Sequence, residues 1–179
     1  MSTTISLRDL GLSPGQAAHR EFDIELVPYV QAGEPYVVSS ETVPARLDIT
    51  AMDEGWSFHL RFQGEYVGPC SRCLEPAMFN AIIDAHEIHD PAIEPDSEDA
   101  DQLRSDHVDD VANELDVSSW AQEAVALRFP TRVLCRPDCR GLCAQCGENL
   151  NEHPEHEHEQ PTDSRWDALK NLQVEGDDG

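Results

Sequence analysis

Apolar and polar residues alternate through much of the first 90 positions, a pattern typical of β-strands that cover a core with one face. The clearest examples are ARLDITA at 45–51, WSFHLRF at 56–62 and AMFNAIIDA at 77–85. Gly55, at the end of the MDEG segment between the first two, predicts a hairpin turn. A further strand is expected in REFDIELVPYV, where Pro28 interrupts the pattern. Residues 1–89 are therefore predicted to form an antiparallel β-rich part with one face of each strand in water.

Helical spacing replaces this alternation after residue 116. The apolar residues that recur at that spacing are Val117, Trp120, Ala121, Ala124, Val125 and Leu127. Ser118 suits an N-cap and Pro130 ends the pattern, which predicts a helix at 117–129 that packs on the sheet. The segment DSRWDALKNLQ predicts a second short helix at 164–173, which could cap the core or dock on a partner. The fold class is therefore α+β, with one or two helices on an antiparallel sheet.

The segment 90–116 has a different composition, with eleven acidic residues and Arg104 as its one basic residue. Self-repulsion and low hydrophobicity predict a mobile, solvated loop. The alternative is an acidic docking segment for a basic partner.

The net charge of the chain indicates which kinds of partner it can bind. The 179 residues contain 36 acidic and 12 basic side chains, for a net charge of −24. Strong direct nucleic-acid binding is not expected, because Lys and Arg supply most phosphate affinity, and an anionic membrane would repel the chain. A basic protein partner would be attracted. With no signal peptide at the N-terminus and no run of 18 apolar residues, we expect a cytoplasmic protein whose thiols stay reduced.

Four of the six cysteines lie in CRPDCRGLCAQCGENLN, residues 135–151. Cys143 and Cys146 form a C-x-x-C followed by Gly147, which indicates a zinc-knuckle turn but supplies only half of a tetrahedral site. Two pairs could complete it: Cys135 with Cys139, which is preferred, or His156 with His158. The region 135–158 is thus predicted to be a Cys/His metal-binding loop for Zn²⁺.

A further pair, Cys70 and Cys73 in CSRCLEP, can reach this loop only through the fold. Either cysteine could instead be a small buried apolar residue. The HEHE run around His156 could likewise be a solvated acidic tail. A redox role for a C-x-x-C pair is the other reading, although nearby acidic residues raise thiol pKa values and no thioredoxin-like βαβ pattern surrounds either motif.

Three segments in this order resemble the YceD family of large ribosomal RNA subunit accumulation proteins: CSRCLEP, CRPDCRGLCAQCGENLN and DSRWDALKNL. The resemblance extends roughly from Ile5 to Leu172 and implies a single YceD-like domain over 1–179. It implies a non-enzymatic role in the synthesis, processing or stability of 23S rRNA.

The positions that match the family motifs are Cys70, Arg72, Cys73, Leu74, Cys135, Cys139, Gly141, Leu142, Cys143, Cys146, Gly147, Asn149, Leu150 and Asn151. Ser164 departs from the proline that many relatives have there. The HEH segment stands where some relatives have C-x-C, and histidine in place of cysteine would preserve zinc binding.

These observations predict a zinc-stabilised acidic adaptor in large-subunit assembly. Its partner would be a basic ribosomal protein or assembly factor, and it would reach rRNA only indirectly. The alternatives are a thiol redox protein that uses Cys70 and Cys73 and a metal-handling protein that uses the histidine-rich tail. No P-loop, G-x-S-x-G or H-E-x-x-H motif supports an enzyme.

Overall fold

The computed structural model describes residues 3–94, 96–99 and 103–158. The chain divides into two compact units, residues 1–139 and residues 140–179. The predicted helix at 164–173 lies outside the described residues. No helix in the described part of the chain has the length and apolar character needed to cross a membrane.

The first unit contains nine strands, one α-helix and a short 3₁₀ helix among its described residues. In chain order these are β1 (Thr4–Ser6), the 3₁₀ helix (Arg8–Leu10), β2 (Ala17–Glu25), β3 (Tyr29–Gln31), β4 (Glu34–Val38), β5 (Thr42–Ala51), β6 (Trp56–Pro69), β7 (Pro76–His89), β8 (Val108–Asp109), β9 (Glu114–Asp116) and α1 (Val117–Arg128).

All strand pairs are antiparallel, as the alternation predicted. The larger sheet has the order β2-β5-β6-β4-β3, and β7 pairs along the full length of β6. The smaller sheet has the order β1-β9-β8. Strand β6 is therefore the centre of the larger sheet, and the β6–β7 hairpin is its longest pairing.

The core lies on the face of this sheet that α1 covers. Most of the predicted inward residues of β5, β6 and β7 are buried, and Leu47, Phe58 and Leu60 have no exposed surface, whereas Trp56 and Phe79 are half-buried. Trp120 of α1 packs edge-on against Phe58, with the ring centroids 6.3 Å apart. Phe129, directly after the helix, lies among a cluster of aromatic rings. Its neighbours are Tyr29, Tyr36, Tyr66 and Phe79, at centroid distances of 4.3, 5.1, 5.6 and 4.8 Å.

Two details of the helix differ from the sequence prediction. The N-cap is Asp116, whose carboxylate accepts the Ser119 backbone N–H at 3.0 Å, whereas the Ser118 hydroxyl accepts the N–H of Thr3 at 2.7 Å. The helical spacing predicts Leu127 on the buried face, but this residue is 81% exposed. An acidic cap also complements the partial positive charge of the helix N-terminus, which makes Asp116 the better cap.

The second half of the acidic segment contains two short strands that the sequence analysis did not predict. Residues 103–116 include β8 and β9, and Leu115 is fully buried. Two ring–carboxylate contacts anchor it: His89 Nε2 lies 2.8 Å from Asp110, and His107 Nε2 lies 2.9 Å from Glu123. Pairing with β1 and burial of one leucine offset the charge repulsion that composition alone emphasised.

The turn between β5 and β6 confirms the role assigned to Gly55, which has φ of 98°. A Cβ at this position would lie 2.0 Å from the carbonyl oxygen of His89. Gly33 has a similar φ of 88° but open space around it. Left-handed φ therefore restricts both positions, and backbone contact restricts only Gly55.

We expect Gly55→Ala to destabilise the protein by about 3 kcal/mol or more, since the clash with backbone adds to the conformational penalty. Gly33→Ala should cost about 1–2 kcal/mol, the penalty for a left-handed L-residue alone. Urea unfolding of both variants measures the difference. Equal free energies of unfolding would show that the turn relaxes away from His89.

Candidate metal centres

The six cysteines and two of the histidines form two groups of four, one in each compact unit. The four-cysteine group consists of Cys70, Cys73, Cys135 and Cys139. The Cys2His2 group consists of Cys143, Cys146, His156 and His158. In each group every ligand atom lies within 4.8 Å of the others.

The four-cysteine group joins the tip of the β6–β7 hairpin to the chain that follows α1. The hairpin closes at the pair Pro69↔Pro76, so its loop is residues 70–75 and carries Cys70 and Cys73. The Sγ atoms are 3.8 Å apart between Cys70 and Cys139, and 3.5 Å apart between Cys73 and Cys135. None of the four cysteines forms a disulfide bond, and Cys135 is more exposed than the other three.

Local hydrogen bonds shape this loop into a knuckle. The N–H of Cys70 donates to the Glu75 carbonyl at 2.8 Å, and the N–H of Leu74 donates to the Cys70 carbonyl at 3.0 Å. Leu74 closes the turn with φ of 64°, a conformation uncommon outside glycine. The N–H of Arg72 points at Cys70 Sγ at 3.5 Å. The loop thus aims two sulfurs to one side and directs N–H dipoles at them.

Three further hydrogen bonds hold the downstream cysteines against this loop. The N–H of Ser71 donates to the Val133 carbonyl at 2.8 Å, and the N–H of Val133 donates back to the Ser71 hydroxyl at 3.1 Å. The Arg72 guanidinium donates to the Cys139 carbonyl at 2.7 Å. The side chains inside the first C-x-x-C therefore position the second pair.

The pKa values within this group are pushed apart. Burial opposes ionisation of Cys70, but the backbone N–H groups of Cys135, Cys73 and Arg72 outweigh it and lower the pKa of Cys70 to about 6. Burial and the neighbouring sulfurs raise the pKa of Cys73 to about 12. The Cys70 thiolate can bind a cation first, and the bound cation then favours loss of the protons from the neighbouring thiols.

The Cys2His2 group lies in the second unit. The Sγ of Cys146 is 3.2 Å from the Nε2 of His156 and 3.2 Å from the Nε2 of His158. The two Nε2 atoms are 2.9 Å apart, and the rings are nearly perpendicular at 84°. Three ligand atoms from two distant parts of the loop thus converge on one point, with Cys143 beside them.

The knuckle of the second unit repeats that of the first. The N–H of Cys143 donates to the Glu148 carbonyl at 2.8 Å, and the N–H of Gly147 donates to the Cys143 carbonyl at 2.8 Å. Gly147 has φ of 79°, and Leu142 and Asn149 form a bridge that closes the hairpin. Both C-x-x-C motifs therefore fold into one turn type, although glycine closes one turn and leucine the other.

Asparagine side chains return the chain toward this knuckle. The N–H of Arg140 donates to the Asn151 carboxamide at 2.8 Å, and the N–H of Asn151 donates to the Asn149 carboxamide at 3.0 Å. The N–H of Leu150 donates to the Gly141 carbonyl at 2.9 Å. These bonds account for the GENLN segment, which turns the chain so that His156 and His158 reach the cysteines.

Backbone N–H groups of Cys146 and Gln145 lower the pKa of Cys143 to about 6. Because metal removal is expected to unfold residues 140–158 and break these hydrogen bonds, we expect Cys143 alkylation in the reduced, metal-free protein to have its half-maximal rate near the ordinary thiol pKa of about 8.5, since only the thiolate reacts. Peptide mass spectrometry after iodoacetamide treatment between pH 5 and 9 measures this rate. A midpoint near 6 would show that the hydrogen bonds to Cys143 persist without metal.

Both groups fit a tetrahedral zinc ion. Zn–S bonds of about 2.3 Å separate two sulfurs by about 3.8 Å, close to the observed 3.8 and 3.5 Å and far above the about 2.05 Å of a disulfide. With Zn–N bonds of about 2.0–2.1 Å, sulfur and nitrogen are about 3.5 Å apart. The distance from Cys146 Sγ to His156 Nε2 is 3.2 Å, so these two atoms need to move apart by only a few tenths of an ångström to bind one ion.

The structure brings together all the sequence-predicted ligands, in two groups. Cys143 and Cys146 lie with the histidine pair, and the first-choice pair, Cys135 and Cys139, lies with Cys70 and Cys73. Spacing along the chain favoured a single set of Cys135, Cys139, Cys143 and Cys146. In the structure, the tip of the β6–β7 hairpin instead brings Cys70 and Cys73 to Cys135 and Cys139.

The sequence model of a family described as "Large ribosomal RNA subunit accumulation protein YceD" matches residues 58–173 of this chain. Uncharacterized proteins from Mycobacterium bovis and Mycobacterium tuberculosis are 35% identical to this chain in an alignment of 144 residues. The alignment covers 70% of this chain and 68% of each relative.

A shorter match links the chain to a Zea mays protein named large ribosomal RNA subunit accumulation protein YCED homolog 1, chloroplastic. It is 40% identical over 38 residues, covering 21% of this chain and 13% of the maize protein. No solved structure matches this chain.

Proposed function

Because this chain belongs to the YceD family, we propose that it is a non-enzymatic factor in large-subunit biogenesis that supports the synthesis, processing or stability of 23S rRNA. The family assignment supports the ribosome-biogenesis role. The further proposal is that one Zn²⁺ in each group of four ligands makes the chain a rigid adaptor. The convergence of four donor atoms in two separate groups is the observation that carries this proposal.

A structural role for both ions follows from the donor sets. Four protein ligands complete a tetrahedral zinc site and leave no position for a water or substrate, as in structural and not catalytic sites. Zinc would supply folding energy and hold each knuckle closed. Reduced cysteines of this kind suit a cytoplasmic location, which is part of the proposal.

Charge supports a protein partner rather than direct contact with RNA. A net charge of −24 opposes binding to phosphates and favours a basic ribosomal protein or assembly factor. The acidic segment is the surface best suited to it. Asp106 and Asp109 are exposed, while contacts of Asp110 with His89 and Arg104 fix the backbone between β8 and β9. A fixed acidic surface loses less entropy on binding than a mobile one.

The test of function is the ratio of 23S to 16S rRNA in cells that lack the protein. We expect this ratio to fall and the wild-type chain to restore it, whereas a Cys73→Ser/Cys139→Ser variant should restore it poorly. An unchanged ratio on deletion would refute the biogenesis role. Full restoration by a metal-free variant would remove zinc from the proposal and leave the role intact.

A second experiment addresses the adaptor. We expect the zinc-loaded chain to bind purified basic large-subunit proteins at low salt and to release them as salt rises, because exposed charges are screened. Naked 23S rRNA should bind at least tenfold more weakly under the same conditions. Strong, salt-sensitive binding to the naked RNA would contradict an indirect role.

A thiol redox function is the alternative, because the lowered pKa of Cys70 and the close sulfurs also suit disulfide exchange. Alkylation with and without reductant distinguishes the two. A redox pair changes its labelling with reductant, whereas a zinc-bound pair changes it only with a chelator. A metal-handling role would instead require that deletion of residues 152–159 abolish metal uptake and leave the fold intact.

A further inference from the structure

Two histidines and an aspartate converge on the face of the sheet opposite the core. His59 of β6 and His86 of β7 are directly paired in the strand register. Asp84 lies two residues before His86 and so shares its face, because side chains alternate along a strand. Phe58 and Leu60, on either side of His59, point into the core. The sheet therefore fixes all three polar side chains on its outer surface.

The ligand atoms of these residues are close together. The Nε2 of His59 is 2.6 Å from Asp84 Oδ1, and the Nε2 of His86 is 3.4 Å from the same oxygen. The two imidazole rings are stacked, with centroids 3.7 Å apart and planes 22° from parallel. The side chain of His59 is 25% exposed, while those of Asp84 and His86 are 64% and 65% exposed. Solvent ions can reach the cluster directly.

We propose that His59, Asp84 and His86 form a third metal site, which binds a divalent ion of the zinc class at the surface of the sheet. Two imidazole nitrogens and one carboxylate oxygen are ligands that zinc accepts, and water would complete the coordination. Cross-strand pairing places both rings without a loop rearrangement. The site is weaker and more exchangeable than the cysteine groups, because it has no thiolate and stays open to water.

The neighbouring charges are compatible with a cation. Arg61 stands opposite Asp84 in the register, but its guanidinium contacts Asp48, which also accepts Arg46 at 3.2 Å. Because Asp48 is shared by two arginines, it offsets the charge of Arg61 only in part, and the remaining positive charge lowers the affinity of the site for a cation. The competing explanation is a network of ion pairs in which the histidines are only hydrogen-bond partners of Asp84. The experiment below distinguishes this network from a metal site.

The test uses the full, reduced chain loaded with zinc and freed of excess metal. Isothermal titration with Zn²⁺ at pH 7.5 should show one equivalent beyond the zinc already bound. A His59→Gln/His86→Gln variant should lose that equivalent. Asp84→Asn keeps both rings and should weaken the same binding by about tenfold.

His19→Gln is the matched control, since His19 is an exposed histidine on β2 that belongs to none of the three groups. It should bind the additional zinc as the wild type does. Substoichiometric Ni²⁺ then locates the ion by NMR: amides of residues 57–61 and 84–88 should broaden first. Equal stoichiometry in the double variant and the wild type would overturn the proposal, as would broadening confined to residues 153–158.

Discussion

Removing the metal from the Cys2His2 group is expected to unfold residues 140–158 while the β-sheet stays folded. In this range only Gly141 is buried, and the single β-bridge is Leu142↔Asn149. Such a segment has no apolar core to offset the entropy of ordering its backbone. Structural zinc contributes about 10–16 kcal/mol in small zinc-binding peptides, so the ion would dominate the stability of this unit.

Hydrogen exchange followed by NMR measures this effect in the reduced chain before and after a zinc chelator. Amides of residues 140–158 should lose protection and chemical-shift dispersion, and added zinc should restore both. A Cys143→Ser/Cys146→Ser variant should reproduce the chelated state in this range and hold one zinc fewer per chain. Unchanged protection of the range in that variant would show that its hydrogen bonds fold it without metal.

Removing the metal from the four-cysteine group is expected to lower the stability of the first unit itself. This group ties Cys73 to Cys135 across 62 residues, so its ion would close a loop that contains β7 and α1. Several kcal/mol of lost stabilisation would lower the melting temperature by about 10 °C, at about 2–4 °C per kcal/mol for a chain of this size. The variant is Cys73→Ser/Cys139→Ser, which removes one ligand from each side.

Differential scanning calorimetry and zinc analysis, with the Cys143→Ser/Cys146→Ser protein as the matched control, provide the measurement. Each double variant should lose one zinc, and only the first should shift the melting transition of the sheet. If the control variant lost both ions, the two groups would depend on each other. If the wild type held a single zinc and each double variant lost it, the four downstream cysteines would share one ion, as their spacing predicts.

Local regularity explains which parts of the fold were predictable. Alternation in β5, β6 and β7 identified the buried faces correctly, because the side-chain period of a strand is fixed by backbone geometry. Val117 and Trp120 are both buried on one face of α1, because the period of an α-helix is likewise fixed by backbone geometry. The strands β8 and β9 were less predictable. They depend on pairing with β1, on the contact of His89 with Asp110 and on the contacts of His107 with Glu87 and Glu123, and these partners lie outside the acidic segment.

The candidate ligand residues could be named from the sequence for a chemical reason: few residue types bind zinc, and a C-x-x-C turn is held by local hydrogen bonds that need no distant partner. The sequence by itself thus determined which residues are available as ligands, as well as the strand faces, the helix and the strongly acidic character. Only the tertiary structure decided the grouping of those ligands and the cross-strand meeting of His59 with His86. Which ligands come together depends on strand register and on the position of the hairpin. Both arise from packing of the whole sheet and cannot be deduced from the spacing of residues along the chain.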